Sequence, residues 1–140
     1  MKRSIGSIQK QTLKEIEIIA VNDCSEDISY QVLNEMAKKD SRIKIVNNNK
    51  NRGLLFSRAM GILFSKGEYL MNLDRDDALG NSGNLKYLYR KAKNSKPDII
   101  KFGMVFKNNS KKKGCFNAQA IIKFNINLKY LTTVARRMII

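Results

Sequence analysis

The segment KGEYLMNLDRDD, residues 66–77, joins a short apolar stretch to a turn that carries three acidic side chains. Its apolar part, Glu68 to Leu73, is bounded by Lys66-Gly67 on one side and by the acidic turn on the other, which is typical of a buried strand. A second segment has the same plan, because IEIIAV at residues 16–21 runs into the polar turn Asn22-Asp23-Cys24-Ser25. The sequence therefore predicts two buried strands that each end in a polar turn.

Further strands and helices are predicted around these two segments. Apolar patterning favours strands at Arg42 to Val46 and at Asp98 to Phe106, whereas helical spacing predicts helices around residues 28–36, 54–63 and 85–92. The asparagine-rich stretch Asn47 to Asn51 is predicted to be an exposed loop. Since mainly apolar strands alternate with helices, the predicted fold class is α/β, with a mainly parallel sheet flanked by helices.

The turns that follow the strands are the predicted site. Ligands of parallel sheets bind beyond the carboxyl ends of the strands, so we expect strands 16–21 and 68–73 to be parallel neighbours, or nearly so, with Asp23 and Asp74 at one edge. Asp74 and Asp76 have a spacing that suits Mg²⁺ or Mn²⁺, whose shell is completed by water and substrate phosphates. The ordinary alternatives are an acidic turn at Asp74 and a helix cap at Asp23 or Ser25.

The turn Asn51-Arg52-Gly53 opens the predicted helix at residues 54–63. Its ordinary interpretation is a structural turn. Its functional interpretation is a pyrophosphate site, because N–H groups at a helix start, with Arg52 and Arg58 nearby, attract phosphate oxygens.

Several chemistries are excluded by residue content. Histidine is absent, which rules out a Ser-His-Asp triad, a Cys-His dyad and a His-ligated zinc site. Cys24 and Cys115 are far apart in sequence and predict neither a disulfide framework nor a CxxC metal pair. A phosphatase that uses a DxD motif remains a second alternative function, although Ala78 and Leu79 lack the threonine or valine that follows the motif in such enzymes.

The charge is strongly basic and unevenly distributed. The net charge is +15, and residues 99–140 contain nine Lys or Arg and no Asp or Glu. Residues 107–140 are predicted to form a basic C-terminal segment, helical because Ile121, Phe124, Leu128 and Leu131 share a helical spacing. This charge is typical of a solvated face, but it leaves open a non-catalytic basic module that binds an anionic membrane or, less favoured, nucleic acid.

Taken in order, three segments resemble the family 2 glycosyltransferases: SIQKQTLKEIEIIAVNDCSEDIS (residues 7–29), NRGLLFSRAMG (residues 51–61) and KGEYLMNLDRDD (residues 66–77). The likeness runs from about Ser4 to Asp77 and more loosely to Phe106. It implies a Rossmann-like nucleotide-diphospho-sugar-binding domain over residues 1–106. It also implies transfer of a sugar from a nucleoside diphosphate sugar donor to an acceptor hydroxyl.

The resemblance also implies roles for single residues. Asp23 would hydrogen-bond the nucleotide base, and Arg58 would lie near the nucleotide. Asp74 and Asp76 would hold the donor diphosphate through Mg²⁺ or Mn²⁺ as cofactor. The expected location is the cytoplasm, with peripheral association at a membrane as the alternative.

The sequence departs from the family pattern in particular places. Asn22 replaces the first Asp of the family pattern, and Cys24 replaces its Gly. Ala59 replaces the Asn that follows the arginine in the family. The family's opening strand and its catalytic carboxylate have no counterpart, so no catalytic residue is assigned. We therefore expect a piece that is incomplete at both ends and inactive alone. We also expect an unpaired flank in its sheet that favours self-association.

Overall fold

The computed structural model describes residues 1–105, 115–123 and 138–139. Strands alternate with helices from residue 16 to residue 105, as the sequence predicts, and a helix near the start of the chain was not predicted. The elements are α1 (Lys2–Gln9), β1 (Ile16–Asn22), α2 (Ser29–Lys39), β2 (Ile43–Asn47), α3 (Leu54–Leu63), β3 (Tyr69–Met71), α4 (Asn84–Ser95), β4 (Ile99–Val105), β5 (Cys115–Lys123) and β6 (Met138–Ile139).

The six strands form one sheet in the order β2-β1-β6-β3-β5-β4. The pairs β1 with β2, β1 with β6, and β3 with β6 are parallel, whereas β5 is antiparallel to β3 and β4. Five strands therefore run in one direction and only β5 is reversed. The predicted Rossmann-like α/β fold with a mainly parallel sheet is confirmed. Strands β1 and β3 are separated by β6 alone, so the prediction that they are near neighbours is also confirmed.

The helix predicted for the C-terminal segment is wrong where the structure describes that segment. Cys115–Lys123 is strand β5, which pairs with the whole of β4 from Ile99 opposite Ile122 to Val105 opposite Cys115. Apolar spacing along one segment does not reveal a distant strand whose backbone groups complete a ladder, and here that ladder decides the conformation. The remaining positions of the predicted helix, including Phe124, Leu128 and Leu131, and the predicted boundary at residue 106 lie outside the described residues.

The main core lies on one face of the sheet, beneath α1, α2 and α4. Each fully buried aliphatic side chain there contributes about 1.5–3 kcal/mol. The sheet supplies Ile16, Ile18, Ile43, Tyr69 and Met71, and the helices supply Ile5, Ile8, Leu33, Leu85, Leu88 and Ala92.

Helix α3 covers the other face of the sheet and is poorly buried. An added Cβ at Gly61 would lie 3.6 Å from Cγ2 of Val21, a contact that places α3 close to β1. None of the α3 residues is fully buried, and Leu55 and Leu63 are 83% and 69% exposed. An apolar helix normally has partners on more than one side, so α3 is incompletely covered among the described residues.

Strands β1 and β3 are bridged over a short length only. β6 pairs with Ile16 and Glu17 of β1 and with Tyr69 and Leu70 of β3. Beyond Glu17, β1 has a partner on one side only among the described strands, and that partner is β2. The expected unpaired flank stays a prediction, because the residues on either side of β6 in the sequence lie outside the described ranges. Self-association stays a prediction.

A buried glutamine connects α1 to the start of α4. The Gln11 side chain is 1% exposed. Its Nε2 donates to the carbonyl oxygens of Ser7 at 3.1 Å and Asn81 at 2.8 Å, and its Oε1 accepts from the N–H of Leu85 at 3.0 Å. One side chain thus satisfies backbone groups from three segments, which fixes the turn that follows β3 against α1.

We expect Gln11→Leu to lower the free energy of unfolding by about 1–3 kcal/mol, because it leaves the Leu85 N–H and the Asn81 carbonyl without their partner. Urea denaturation followed by circular dichroism measures the change. Gln31→Leu is the matched control, since Gln31 is exposed on α2. Equal stability of the two variants would contradict a structural role for Gln11.

Candidate functional site

A cavity of about 630 Å³ opens at the carboxyl edge of the sheet, between β1 and β3. All four residues predicted to form the site, Asp23, Arg58, Asp74 and Asp76, line this cavity. They come from the ends of β1 and β3 and from α3, so the parallel sheet brings distant parts of the sequence to one place. The expectation that Asp23 and Asp74 share one edge is confirmed.

Asp23 is held by hydrogen bonds from two other segments. Its Oδ1 accepts from Nδ2 of Asn48 at 2.7 Å and from the N–H of Arg52 at 2.9 Å. Its Oδ2 accepts from the N–H of Gly53 at 2.7 Å. The N–H groups of Arg52 and Gly53, just before α3, therefore donate to this carboxylate. These two N–H groups are thus not free for a pyrophosphate, whereas the predicted pyrophosphate site at the N–H groups of the first turn of α3 stays a prediction.

The predicted cap of α2 also needs correction. Helix α2 begins after Ile28 and has no side-chain cap from Asp23 or Ser25. Instead, Oδ1 of Asp27 accepts from the N–H of Ser29 at 2.8 Å. Sequence spacing could not distinguish these acceptors, since the conformation of the turn decides which carboxylate reaches the helix.

Asn48 is a site residue that sequence reasoning missed. It was placed in an exposed asparagine-rich loop, but it is only 8% exposed. Its Nδ2 donates both to Asp23 and to Oγ of Ser57, at 3.1 Å for the latter. The hydrogen bond from Asn48, followed by the N–H of Arg52, holds the pKa of Asp23 below its usual value. Asp23 is therefore ionised at neutral pH.

Arg58 and Asp74 form an ion pair at the cavity wall. Nη2 of Arg58 donates to both oxygens of Asp74, at 2.8 and 3.1 Å. The side chains are 39% and 43% exposed, so water weakens the attraction. The buried Nε of Arg58 has no hydrogen-bond partner among the described residues. The guanidinium thus offsets the charge of Asp74, while its Nε is buried.

Asp76 is exposed at the same edge, and no hydrogen-bond or ion-pair partner is found for it in the described part of the chain. Residues 1–105, 115–123 and 138–139 contain no group of three acidic, cysteine or histidine side chains arranged to hold a metal ion. Asp74 and Asp76 fit a Mg²⁺ or Mn²⁺ ion only if other oxygens complete the shell. Mg²⁺ is commonly held this way, by one or two carboxylates together with substrate phosphates.

Comparison with protein families adds the decisive observation. Residues 1–135 match the family described as Glycosyl transferase family 2. The match covers nearly the whole chain, including β1, β3 and the acidic turn after β3. This chain belongs to glycosyl transferase family 2.

Individual glycosyltransferases are similar to parts of the chain. An uncharacterized glycosyltransferase of Bacillus subtilis, EpsJ, is 35% identical over 74% of this chain and 29% of its own length. The cholesterol galactosyltransferase of Borreliella burgdorferi is 42% identical over 64% of this chain and 25% of its own length. A beta-1,3-glucosyltransferase of Campylobacter jejuni, named for GalNAc(5)-diNAcBac-PP-undecaprenol, is 38% identical over 66% of this chain and 30% of its own length. The chain thus spans less than a third of each of these relatives.

The described helices of this family 2 chain are too short or too polar for a membrane span. Across the described ranges, none is long and apolar enough to cross a bilayer. The predicted membrane-binding C-terminal helix lies largely outside these ranges, and membrane association remains a prediction.

The turn after β1 explains one departure from the family pattern. Cys24 has φ of 56°, in the left-handed region that costs a residue with a Cβ about 1–2 kcal/mol. Glycine, which the family has at this place, adopts this conformation without the steric cost. Cys24 is exposed and makes no disulfide among the described residues.

We expect Cys24→Gly to raise the free energy of unfolding by roughly 0.5–1 kcal/mol, because relief of the left-handed strain exceeds the entropy that glycine loses on folding. Urea denaturation under reducing conditions measures this. Cys24→Ala is the matched control, since it removes the thiol but keeps the Cβ. A gain in stability for both variants would attribute the effect to the thiol rather than to the backbone.

Proposed function

We propose that this chain forms the donor-binding part of a glycosyltransferase that takes a nucleoside diphosphate sugar and transfers the sugar to an acceptor hydroxyl. The single observation that carries the proposal is the convergence of Asp23, Arg58, Asp74 and Asp76 on one cavity in a family 2 chain. The cavity volume of about 630 Å³ is within the usual range of roughly 300–1,000 Å³ for ligand pockets.

Each side chain has a proposed task. Asp23 is ionised and retains lone pairs that can accept from an N–H of the nucleotide base, while its present bonds keep it in place. Arg58, whose side chain is 39% exposed, offers its guanidinium charge to the diphosphate. Asp74 and Asp76 would hold a Mg²⁺ or Mn²⁺ ion, whose remaining positions would be open to diphosphate oxygens. Such an ion would neutralise negative charge on the leaving diphosphate.

The ion pair between Arg58 and Asp74 gives the binding a particular order. Without ligand, Arg58 competes with a cation for the Asp74 oxygens, at 2.8 and 3.1 Å. When a diphosphate and a metal ion bind together, Arg58 would exchange Asp74 for a diphosphate oxygen, and Asp74 would exchange Arg58 for the cation. We therefore expect metal and nucleotide to bind together more strongly than either binds alone.

The first test uses Asp76→Asn. Uridine or guanosine diphosphate should bind wild type in Mn²⁺ and bind much more weakly with chelator. Asp76→Asn removes one charge from the shell of the cation. Loss of a charge-assisted contact of about 1.5–3 kcal/mol lowers affinity roughly ten- to a hundredfold. Calorimetric titration measures the affinities. The titration uses both nucleotides, because the named relatives transfer different sugars.

Asp77→Asn is the control for Asp76→Asn, because it makes the same charge change at the adjacent residue. Asp77 does not line the cavity. Thermal melting checks that both variants fold. Equal affinity of wild type and Asp76→Asn would rule out this metal site. Equal weakening by Asp77→Asn would attribute the effect to general electrostatics.

The second test uses Arg58→Gln and looks for two opposite changes. Mn²⁺ alone should bind up to about fivefold more tightly, since the loss of an exposed ion pair worth at most about 1 kcal/mol frees Asp74. The nucleotide in Mn²⁺ should bind more weakly, because the guanidinium is gone. Electron paramagnetic resonance of free Mn²⁺ measures the first change and calorimetry measures the second.

Arg52→Gln is the control for the second test. Arg52 is a nearby cation that lies over the ring of Phe56 and forms no ion pair with Asp74. It should leave the affinity for Mn²⁺ alone nearly unchanged. If Arg58→Gln weakens Mn²⁺ and nucleotide equally, the proposed exchange of partners is wrong.

A further inference from the structure

We propose that Asn48 is a positioning residue for nucleotide binding, which lies behind the cavity and orients two side chains of its wall, Asp23 and Ser57. The proposal rests on the proposed function, because it concerns how the donor site receives the nucleotide base. Asn48 acts through these two residues and does not itself contact the nucleotide or the metal ion.

Asn48 is buried in a part of the sequence that is otherwise exposed. It is 8% exposed, whereas Asn47 and Asn49 on either side of it are exposed. Its N–H donates to the carbonyl oxygen of Asn22 at 2.9 Å, which attaches its backbone to the end of β1. A polar side chain that loses hydration needs hydrogen-bond partners to offset the cost. The partners of the Asn48 side chain therefore decide its role.

The amide nitrogen of Asn48 has two acceptors. Nδ2 lies 2.7 Å from Oδ1 of Asp23 and 3.1 Å from Oγ of Ser57. An amide NH₂ group has two donors, so one N–H serves each acceptor. The carboxylate also fixes the orientation of the amide, because the amide oxygen cannot donate to it. Asn48 thus holds two side chains at once.

Both acceptors belong to the cavity wall. Asp23 and Ser57 line the cavity, whereas Asn48 does not. The Ser57 hydroxyl accepts from Asn48 and so keeps its own proton to donate. The hydrogen bond from Asn48 makes the largest contribution to the lowered pKa of Asp23, and Ser57 lowers that pKa as well. Asn48 therefore influences the position and the charge of groups that face the ligand.

Asn48 holds Asp23 from a different side than the backbone does. The N–H groups of Arg52 and Gly53 connect the carboxylate to the start of α3, and Asn48 connects it to the end of β2. Loss of Asn48 would release the carboxylate on one side only and leave its connection to α3. The diphosphate part of the site, which lies at Arg58 and the turn after β3, should then be unaffected.

The first experiment uses Asn48→Leu, which removes both donors and keeps a similar size. Uridine or guanosine diphosphate in Mn²⁺ should bind about three- to tenfold more weakly than to wild type. Inorganic pyrophosphate in Mn²⁺ has no base, so its affinity should stay within about twofold. Calorimetric titration measures both ligands. Asn49→Leu is the matched control at the exposed neighbour and should change neither affinity.

The second experiment uses Asn48→Asp, which makes the contact depend on pH. Two carboxyl groups at this distance do not readily ionise together, so the pKa of the pair is raised. At about pH 5.5, the introduced group is protonated and donates to Asp23, whereas at about pH 8 the two groups repel each other. Nucleotide affinity relative to wild type should therefore be higher at the lower pH. Asn49→Asp is the control, and its relative affinity should not change.

The other charged groups near Asp23 are the same in wild type and in these variants. They are Arg52 before α3, Arg58 on α3, and Asp74, Arg75 and Asp76 after β3. The titration of the nucleotide phosphate is also common to all proteins, so it cancels when affinities are divided by those of wild type. NMR titration of the Asp23 carboxyl carbon gives its pKa directly, and Asn48→Leu should raise this pKa.

Several outcomes would overturn the proposal. Equal weakening of nucleotide and pyrophosphate by Asn48→Leu would indicate a general structural role. A relative affinity of Asn48→Asp that is the same at the two pH values, or an Asp23 pKa that Asn48→Leu leaves unchanged, would show that Asn48 does not act through Asp23. Pyrophosphate binding at both pH values checks that Asn48→Asp is folded.

Failure of the proposed function would give a different result. Absence of nucleotide binding by wild type would reject the donor site itself. Nucleotide binding by wild type that Asn48→Leu leaves unchanged would reject the role of Asn48 alone.

Discussion

The edge of the sheet depends on the carboxylate of Asp23. This residue follows β1, and its three hydrogen bonds reach Asn48 after β2 and the N–H groups of Arg52 and Gly53 before α3. An anion at the start of a helix is favoured because the free N–H groups there are only partly compensated by the helix itself. One charged group therefore holds together two strand ends and the helix that carries Arg58.

The acidic residues at this edge have different environments and so suit different tasks. Asp23 is enclosed by donors, and its charge mainly serves the structure. Asp74 forms a half-exposed ion pair with Arg58, and the surrounding water weakens their attraction. Asp76 is exposed beside them. The site thus combines one firmly held carboxylate with two that are more exposed.

The sheet is least complete next to this site. A parallel sheet relies on neighbours at both sides of each inner strand and on helices over both faces. Here β6 bridges β1 and β3 at two residues of each, and α3 lies over β1 with Leu55 and Leu63 exposed.

The sequence by itself determined the elements that depend on local patterning. The apolar runs at β1, β2, β3 and β4 and the helical spacing in α2, α3 and α4 identified these elements, and the polar turns after β1 and β3 identified the edge of the site. The order of these motifs also indicated the family. Local pattern was sufficient because apolar periodicity records which faces of a segment are buried.

Tertiary structure alone decided the features that depend on distant partners. Cys115–Lys123 is a strand because β4 completes its ladder, although its apolar spacing also suited a helix. Asp23 holds α3 rather than α2, Asn48 is buried rather than exposed, and Arg58 neutralises Asp74. Strand β6 lies between β1 and β3, although it comes last in the sequence. Hydrogen bonds and ion pairs between remote segments depend on which strand ends and helices lie close together in the fold. Spacing along the sequence does not specify that proximity.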